Sequence, residues 1–521
     1  MIKRLYPLLG GLFLSATAMA QSSNDALLYS PNQPHGTART QALGGAGIGL
    51  GGDYSSAHLN PAGIAIFKTG EFHISAGVGI SQFTSNYLGN GQLDNKGNRS
   101  NFQMPSIGVI MATNKNSGSS TWNNITFSLG MERLANYNNK MAIAGRNNQT
   151  SLSDAWVDDF FDQSVSDATL GLGFDLGYYT GMIHKHANAP GDTSIISQAS
   201  PLRPGGGLPG IQQRGTIETE GGLNEYSFAI GGNYGDRLYI GASLNLPSIN
   251  YKETLNWSED DASSDKNNGF AYFDYTKRLK RTGLGFGAKL GILYKVSDHF
   301  RLGGTFATPT WYSIHDSYTA EFHSDIENNQ GEVSAYSVDL AQGFPTENDY
   351  HYTAPLRAGA GASYFFGNLA EPKTTQGFIT ADYEYVNQSS GKFKYNNGKA
   401  ATGVNDNISA IYKATSNIRA GAEVRFQAMY AVRLGFAAYG NPYTNDAYNA
   451  GIDASRKVYS GGLGFRNKGF YADLTYSYTQ GDDRYQPYTI YQAAGQPNLS
   501  PKAATLAYNR SNILLTIGFK F

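Results

Sequence analysis

A period-two alternation of apolar and polar residues, repeated in many short segments, limits this chain to β structure. The stretch 417–427 shows it clearly. Its apolar set is Ile418, Ala420, Ala422, Val424 and Phe426, and its polar set is Asn417, Arg419, Glu423, Arg425 and Gln427. Successive side chains of a strand point to opposite faces, so this segment has one apolar and one polar face. The same alternation recurs at 72–81, 125–132, 238–245, 284–292 and 379–385.

The connections between these segments favour a barrel over a soluble β-sandwich, whose strands alternate in the same way. Short joins, at 234–237, 296–299 and 467–468, alternate with long polar joins, of which one has about 85 residues after Ala135. Short periplasmic turns and long external loops give outer-membrane barrels this asymmetry, and an even strand count of about 14 agrees. The predicted strands are 70–84, 102–113, 121–135, 221–233, 238–252, 279–295, 300–322, 350–366, 376–394, 411–427, 429–441, 457–466, 469–480 and 510–521.

Composition agrees with a barrel whose outer face meets lipid. The 521 residues include 63 Gly, 36 Tyr and 27 Phe, yet the mean hydropathy is negative. Only one face of each barrel strand meets lipid, and aromatic rings mark both membrane interfaces. The chain has no Cys, so it has no disulfides, and 40 Lys+Arg against 41 Asp+Glu argues against a nucleic acid partner.

The two ends of the chain carry features of export and assembly. Lys3 and Arg4 precede an apolar run, and the small residues at 18–20 are spaced like a cleavage site, so we predict a signal peptide over 1–20. The last strand has five apolar residues on one face and ends in Phe521. It must pair with the first strand to leave no open edge. Its terminal aromatic resembles the signal that the barrel assembly machinery recognises.

The stretch 36–67 is too apolar for a linker and too rich in glycine for a helix or a strand. Its glycines at 44–52 permit close backbone approach but supply almost no side chain for a core. Asp53 is placed to cap a short helical turn, which Asn60 and Pro61 should end. We therefore predict a compact plug that packs inside the barrel.

This stretch resembles the hatch of the FadL/TodX family of outer-membrane transporters of hydrophobic compounds. The resemblance rests on Asn60, Pro61, Ala62 and Gly63, which lie about 40 residues into the mature chain, after the glycine run and before strand-like sequence. It extends with lower specificity over the rest of the chain. The fold class it implies is all-β, a transmembrane antiparallel β-barrel of about 14 strands with an N-terminal hatch in the lumen.

The predicted divisions are a signal peptide at 1–20, the hatch at 21–69 and the barrel at 70–521. For such a protein the resemblance implies passive transport of hydrophobic small molecules, either long-chain fatty acids or aromatic hydrocarbons, with lateral exit through a gap in the wall. A non-transporting surface adhesin or receptor, which would use the long external loops, is the alternative.

The predicted inward face is rich in glycine and carries charges of both signs. The glycines either leave room for a plug or a ligand or ease the curvature of the wall. They are Gly77, Gly79, Gly241, Gly285, Gly287, Gly359, Gly361, Gly421 and Gly435. The candidate lumen charges are Arg357, Arg419, Arg425 and Arg433, with Lys289, opposite Asp382, Glu384, Glu423 and Asp473. We expect most of them to neutralise one another; the alternative is that one arginine binds an anionic head group such as a carboxylate.

The longest predicted loop contains one amphipathic helical segment, SLSDAWVDDFFD. Its apolar stripe is the candidate external landing site for the transported compound, formed by Leu152, Trp156, Phe160 and Phe161. The alternative is that the stripe packs onto the barrel rim.

Enzymatic sites find little support in the sequence. His184 and His186 form a lone pair without an obvious third ligand, and the acidic pairs of the loops have no adjacent His. We predict no enzyme, no catalytic residues, no metal and no cofactor. The predicted partners are a hydrophobic small-molecule ligand, outer-membrane lipid and lipopolysaccharide, and the barrel assembly machinery through Phe521. The predicted state is a monomer in the outer membrane of a Gram-negative-type bacterium.

Overall fold

The structure is a computed structural model that describes residues 25–89, 96–114, 121–161, 167–186, 194–204, 207–327, 331–371, 373–444, 453–490 and 499–521. The predicted signal peptide and residues 21–24 of the predicted hatch lie outside these ranges. No helix among the described residues has the length and apolar character needed to cross a membrane.

The described chain is mostly strand, with short helices at its start and in its loops. The strands are β1 (Glu71–Asn86), β2 (Lys96–Asn114), β3 (Trp122–Asn136), β4 (Asn139–Asn147), β5 (Ile183–Lys185), β6 (Ile195–Ser197), β7 (Ile211–Tyr234), β8 (Leu238–Asp261), β9 (Tyr272–Lys295), β10 (Phe300–Ala307), β11 (Thr310–Asp325), β12 (Val333–Tyr336), β13 (Thr346–Ala354), β14 (Arg357–Gly367), β15 (Gln376–Asn387), β16 (Lys392–Tyr395), β17 (Ala414–Phe426), β18 (Tyr430–Tyr439), β19 (Arg456–Asn467), β20 (Phe470–Tyr485) and β21 (Ala504–Lys520). The helices are α1 (Ala26–Tyr29), α2 (Ala38–Ala42), α3 (Ser56–Leu59), α4 (Leu152–Phe161), α5 (Asp167–Leu170), α6 (Phe174–Tyr179), α7 (Ser337–Leu340) and α8 (Thr402–Ile411), with 3₁₀ helices at Pro61–Ile66 and Gln388–Ser390.

One antiparallel sheet closes on itself to form a barrel. Its first and last strands pair along their whole length, from Glu71 opposite Lys520 to Asn86 opposite Thr505. Some wall strands consist of two consecutive pieces, because β10 and β11 both pair with β9, and β14 and β13 pair with them in turn. Counted in this way the wall has 14 strands, so the predicted all-β class and the antiparallel barrel of about 14 strands are confirmed. The short strands β5 and β6 form a separate sheet.

The alternation in the sequence corresponds to two different surfaces of the wall. On β17, Asn417, Arg419 and Glu423 are buried in the interior, whereas Ile418 between them is 52% exposed. The same contrast runs through the other wall strands, so the outward surface is a continuous apolar band. An outward apolar band around a polar interior is the arrangement of a barrel that spans a lipid bilayer.

Several predicted strand bounds were wrong, mostly on the long-loop side. The 85-residue loop predicted after Ala135 is shorter, because β4 continues the line of β3 to Asn147 and β7 already begins at Ile211. The strand predicted at 300–322 is interrupted at Thr308 and Pro309, since proline cannot donate to the ladder. The strands predicted at 350–366 and 376–394 are interrupted too, by Pro355 and by the 3₁₀ helix at Gln388–Ser390.

The strands β7 and β8 each have 24 residues, far more than the roughly ten that cross a bilayer. Their outer halves extend beyond the apolar band and carry the long loops. Two hydrophobic clusters pack there: one joins α4 and α6 to the tips of β7–β9, and the other joins α1 to β11, β13 and α8. We call this end of the barrel the long-loop end and the opposite end the short-turn end.

Candidate functional site

Residues 25–67, which we call the N-terminal segment, lie against the inward face of the wall. Asp53 organises their turns: its Oδ1 accepts hydrogen bonds from Thr37 Oγ1 at 2.9 Å, Thr40 Oγ1 at 3.1 Å and the Ser55 N–H at 3.0 Å. Thr37 in turn caps α2 by accepting from the Thr40 N–H. The segment is thus compact although its helices have only four or five residues each.

Wall glycines lie where this segment comes closest. A Cβ atom added to Gly435 would lie 2.1 Å from the backbone nitrogen of Gly44, and one added to Gly241 would lie 2.4 Å from the carbonyl carbon of Pro61. Of the other glycines predicted to face inward, Gly359, Gly361 and Gly421 also meet the segment, whereas Gly77, Gly79, Gly285 and Gly287 meet only wall residues. The first group therefore leaves room for the segment.

Asn60 joins the segment to the wall. Its side chain is fully buried, and its Nδ2 donates to the carbonyl of Ile48 at 2.7 Å and to the carbonyl of Ile292 in β9 at 3.1 Å. Its Oδ1 accepts from the Ala62 N–H at 3.2 Å and so caps the 3₁₀ helix Pro61–Ile66. The nitrogen and the oxygen of the side-chain amide thus both form hydrogen bonds, which hold the turn at Asn60 and join it to β9.

The three residues after Asn60 fit tightly for steric reasons. Pro61 occupies the first position of the 3₁₀ helix, where its missing N–H costs nothing. Ala62 is fully buried in a small cluster with Tyr239 of the wall. A Cβ atom on Gly63 would lie 2.8 Å from the Cα of Gly51, so only glycine fits there without a shift of the backbone.

Glu423 is the centre of one charged cluster in the lumen. It pairs with Arg433 and Arg425 of the wall at 2.6 Å each, and with Arg39 of α2 at 3.3 Å. Arg433 also pairs with Asp473 at 2.6 Å. The cluster therefore holds α2 against the wall with charges that are paired where they are buried.

Glu384 is the centre of a second cluster. Arg357 and Arg419 pair with it at 3.2 and 3.4 Å. Arg357 also donates to Ser30 Oγ and to the carbonyl of Pro31, both at 3.0 Å. Each of the four candidate lumen arginines thus has a carboxylate partner, and no anionic ligand is needed to balance any of them.

Asp382, expected opposite the lumen arginines, makes its hydrogen bonds to the backbone of the N-terminal segment. Its Oδ2 accepts from the N–H of Gly47 at 2.6 Å and of Ile48 at 2.9 Å. The glycine run therefore lets backbone N–H groups approach a carboxylate of the wall directly. Larger side chains in this run would keep those N–H groups further from the carboxylate.

Two histidines of the segment face wall glutamates. His58 Nδ1 lies 3.0 Å from Glu225 Oε1, to which Lys289 also pairs at 2.8 Å. His35 forms a close contact with the buried Glu132. These contacts lie on the β3, β7 and β9 side of the barrel, away from the arginine clusters, so the segment is attached to the wall on more than one side.

A cavity of ≈ 500 Å³ lies in the lumen between the N-terminal segment and the long loops. Leu27 and Leu28 line its floor, and Arg456, Arg484 and Arg510 lie among its polar lining. Its aromatic lining residues are Phe83, Tyr137, Tyr251, Tyr439, Tyr443, Tyr485 and Tyr508. Such a mixture suits a ligand with a large apolar body and few polar groups.

The wall is interrupted next to this cavity. β2 pairs with β3 only from Ser106 to Asn114, and its outer half, from Lys96 to Gln103, pairs with β1 but makes no described backbone pair with β3. Beyond Asn136 the continuing strand β4 crosses the inner face of β1, where Ser81 and Ser85 donate to the carbonyls of Asn138 and Ala142. We call the opening between the outer half of β2 and β3 the wall gap.

Side chains bridge the inner part of the wall gap, whereas further out the backbone of β4 at Lys140 lies directly against Gly97 of β2. Asn136 Nδ2 donates to Gln103 Oε1 at 3.0 Å and to Asn101 Oδ1 at 3.2 Å. A smaller cavity reaches Pro105 and Arg133 and shares Tyr508, Arg456 and Arg510 with the large one. This smaller cavity, of ≈ 30 Å³, thus lies between the lumen cavity and the gap, and the gap is crossed there by side-chain hydrogen bonds, which are weaker than a strand ladder.

The sequence had not singled out the residues of this gap. Which strands fail to pair depends on the register of two strands, a property that one strand's sequence does not carry. Pro105 was the available signal, because a proline inside a strand is confined to edges and bulges.

The four candidate landing residues divide into two pairs. Leu152 and Trp156 are buried, and Trp156 packs its ring against Phe273, Tyr275 and Phe322. Phe160 and Phe161 are 42% and 59% exposed. Nearby, Tyr178 and Tyr179 are also exposed, and Phe160 stacks on Phe174 with ring centroids 4.2 Å apart. The stripe thus both packs onto the loop core and leaves an aromatic surface outside.

The helix that carries these residues has one perturbed acid. Burial raises the pKa of Asp154 to about 6, and the hydrogen bond from the Ser151 N–H acts in the opposite direction. Among the described residues no group of three His, Cys, Asp or Glu side chains has the arrangement of a metal site.

Solved structures of similar fold were found over almost the whole chain. A Pseudomonas aeruginosa FadL homologue aligns with 94% of this chain and 99% of its own, at 14% identity and a TM-score of 0.54. The P. putida toluene transporter TodX covers the same shares at 11% identity, with a TM-score of 0.50. At these identities the likeness concerns the fold. No family model matches the chain, and no curated protein matches it significantly.

Proposed function

We propose that this chain is a FadL-type outer-membrane transporter that passes hydrophobic small molecules passively and releases them sideways through its wall. The observation that supports the proposal is the wall gap, which lies beside the lumen cavity and next to the N-terminal segment that we assign as the hatch. A tube that is closed at its base and open at its side delivers cargo to the membrane and not to water.

The proposed division of the chain follows this scheme. Residues 1–20 are the signal peptide, 21–69 form the hatch and 70–521 the barrel. The hatch assignment is supported by the buried contacts of Asn60, by the Arg39–Glu423 pair and by the glycines that make room for the segment. The long-loop end then faces outside, and the short-turn end faces the periplasm.

The proposed route begins at the exposed aromatic surface of Phe160, Phe161, Tyr178 and Tyr179. This surface replaces the landing site predicted from the whole apolar stripe, because the other two residues of the stripe are buried in the loop core. From there an apolar molecule enters the aromatic cavity and leaves through the wall gap. Each step keeps it out of water, which would otherwise resist a large apolar solute.

The gap is tested by closing it. Gln103→Cys with Asn136→Cys, joined by a short bifunctional thiol reagent, should lower the uptake of a labelled long-chain fatty acid and of a labelled monoaromatic hydrocarbon. The parent has no Cys, so the reagent acts only at the new pair. The control pair Val109→Cys with Leu129→Cys joins residues that are already opposite each other in the paired part of the same strands. Equal uptake before and after joining positions 103 and 136 contradicts lateral exit.

The same assay separates transport from the alternative of a surface adhesin or receptor. Replacing Phe160, Phe161, Tyr178 and Tyr179 by Ser should reduce uptake in a transporter. In a receptor that does not transport, the parent itself shows no uptake above that of cells without the protein.

A further inference from the structure

The outer half of the barrel carries two lysines side by side on its outward face. In the β8–β9 ladder, Lys252 lies directly opposite Lys280, and both side chains are exposed. Like charges at directly opposed positions of a sheet repel each other. On the inward face of the same stretch Tyr251 is buried and donates to Glu253, a cavity-lining residue, so Glu253 points away from the lysines.

Neighbouring carboxylates on this part of the wall have other partners. Glu220, which is opposite Lys252 on the other side, pairs with Arg99, and Glu218 pairs with Lys140 at 2.7 Å. On the far side Arg278 pairs with Glu321. Neither lysine forms a salt bridge with any residue that the structure describes. The pair therefore presents two positive charges that have no salt-bridge partner in the described part of the chain.

The height of the pair on the wall indicates what balances it. Going outward on β9, the last large apolar side chain is Leu284, which is 68% exposed, and Thr282 and Lys280 follow on the same face. Four residues of a tilted strand raise Lys280 about 10 Å above Leu284, and a lysine side chain extends back toward the polar boundary. Going outward along the wall, the surface is thus first apolar, then polar with a hydroxyl and an amide, and then positively charged.

We propose that Lys252 and Lys280 bind a phosphate group of a phosphorylated glycolipid in the outer leaflet, of the lipopolysaccharide type. The acyl chains of that lipid lie on the apolar band that ends at Leu284, and Asn250 and Thr282, which are paired to each other between the two levels, offer hydrogen bonds to its head group. The inference rests on the proposed outer-membrane location but not on transport.

Binding of purified lipopolysaccharide to the detergent-solubilised full chain tests the site. Lys252→Gln with Lys280→Gln should weaken binding about 10-fold at low salt, somewhat less than two lysines contribute at an anionic lipid surface. The control, Lys373→Gln with Lys468→Gln, removes the same charge from exposed turns at the opposite end. Heat-modifiable migration in gels verifies that each variant is folded.

Two further probes identify the source of the phosphate. The same lipid after phosphatase treatment should bind the parent no better than the Lys252/Lys280 variant, and inorganic phosphate should not displace the intact lipid at millimolar concentration. Unchanged binding by the variant, equal binding of the dephosphorylated lipid, or displacement by inorganic phosphate each overturns the proposal. Uptake of hydrophobic compounds is measured in parallel, and parent-like uptake by the variant shows that the two proposals succeed or fail separately.

Discussion

Asn60 shows how one side chain connects the chain's beginning to its wall. A residue at the start of a short helical turn needs only one side-chain acceptor to cap it. Asn60 caps the turn with its oxygen and uses its nitrogen for two carbonyls, of which one belongs to β9. An aspartate would cap the turn equally well but could not donate a hydrogen bond. The amide is therefore required by the two carbonyls, of Ile48 and Ile292, that accept from its nitrogen.

Replacing Asn60 by Ala should therefore loosen the N-terminal segment without unfolding the barrel. The carbonyl of Ile48 loses this donor in a buried place, which costs about 1–3 kcal/mol, and the partly buried contact with Ile292 in β9 is lost as well. Hydrogen exchange of amides in 40–66 should accelerate by about 10- to 100-fold, while exchange in the wall strands stays at the parent rate. Asn256→Ala is the control, because that asparagine is exposed on a strand. Parent-like exchange in 40–66 would show that these contacts do not hold the segment.

The glycines show what residue-level reasoning from sequence lacks. Their inward parity was predictable, but Gly435 and Gly285 look alike in a pattern and have different neighbours: backbone of the N-terminal segment at one, the ring of Tyr312 at the other. The difference depends on where each part of the N-terminal segment lies along the barrel axis, and a local sequence pattern does not predict that position. The same holds for the candidate arginines. Their pairing with wall carboxylates was predictable, but the ion pair between Arg39 of the N-terminal segment and Glu423 was not.

At the scale of elements, the strands were predictable from local pattern, whereas the pairing between strands was not. Each wall strand was predictable because its alternation is contained in ten or so consecutive residues. The wall gap was not, because β2 alternates along its whole length and pairs with β3 over only part of it. The outer ends of β7–β9, beyond the predicted bounds at 221, 252 and 279, were also missed, since both faces there are partly polar and the apolar outward residues of β9 end at Leu284.

The packing onto the wall of α2 and of the turn that follows it, Leu43 and Gly44, predicts a change in conductance. Gly435→Ala places a methyl group 2.1 Å from the backbone nitrogen of Gly44, and backbone cannot rotate away as a side chain does. Overpacking of this kind costs about 1–3 kcal/mol, so the segment should leave its position more often. In planar bilayers the variant should open more frequently than the parent, toward the steady open level of a variant that lacks residues 21–68.

Gly461→Ala is the matched control on the adjacent strand, because its Cβ atom would have no neighbour nearer than 3.7 Å. If Gly435→Ala conducts like the parent while the deletion conducts freely, α2 is not the part that closes the lumen. If the deletion itself leaves conductance unchanged, the plug assignment is wrong.

At the scale of the whole molecule, stability comes from closure. With no Cys in the chain, nothing covalent links the ends, and the β1–β21 pairing joins residues more than 400 positions apart. Every backbone group of the membrane-spanning wall needs a partner because hydrocarbon supplies none. The wall gap is tolerable because it lies toward the long-loop end, where amide side chains take the place of the missing ladder.

A substitution of Phe521 distinguishes the stability of the folded barrel from its assembly in the outer membrane. The Phe521 N–H donates to the carbonyl of Gly70 at 3.0 Å, but its ring is largely at the surface, since the residue is 70% exposed. Phe521→Ser should therefore change the stability of the folded barrel by less than about 1 kcal/mol, and refolding from urea into detergent should proceed as for the parent. If the terminal aromatic is read by the barrel assembly machinery, the amount of folded protein in the outer membrane should nevertheless fall severalfold. Phe426→Ser, which changes another outward phenylalanine near a short turn, should leave that amount unchanged. Equal loss in both variants would assign the effect to lost membrane contact, and no loss in either would remove the assembly role of Phe521.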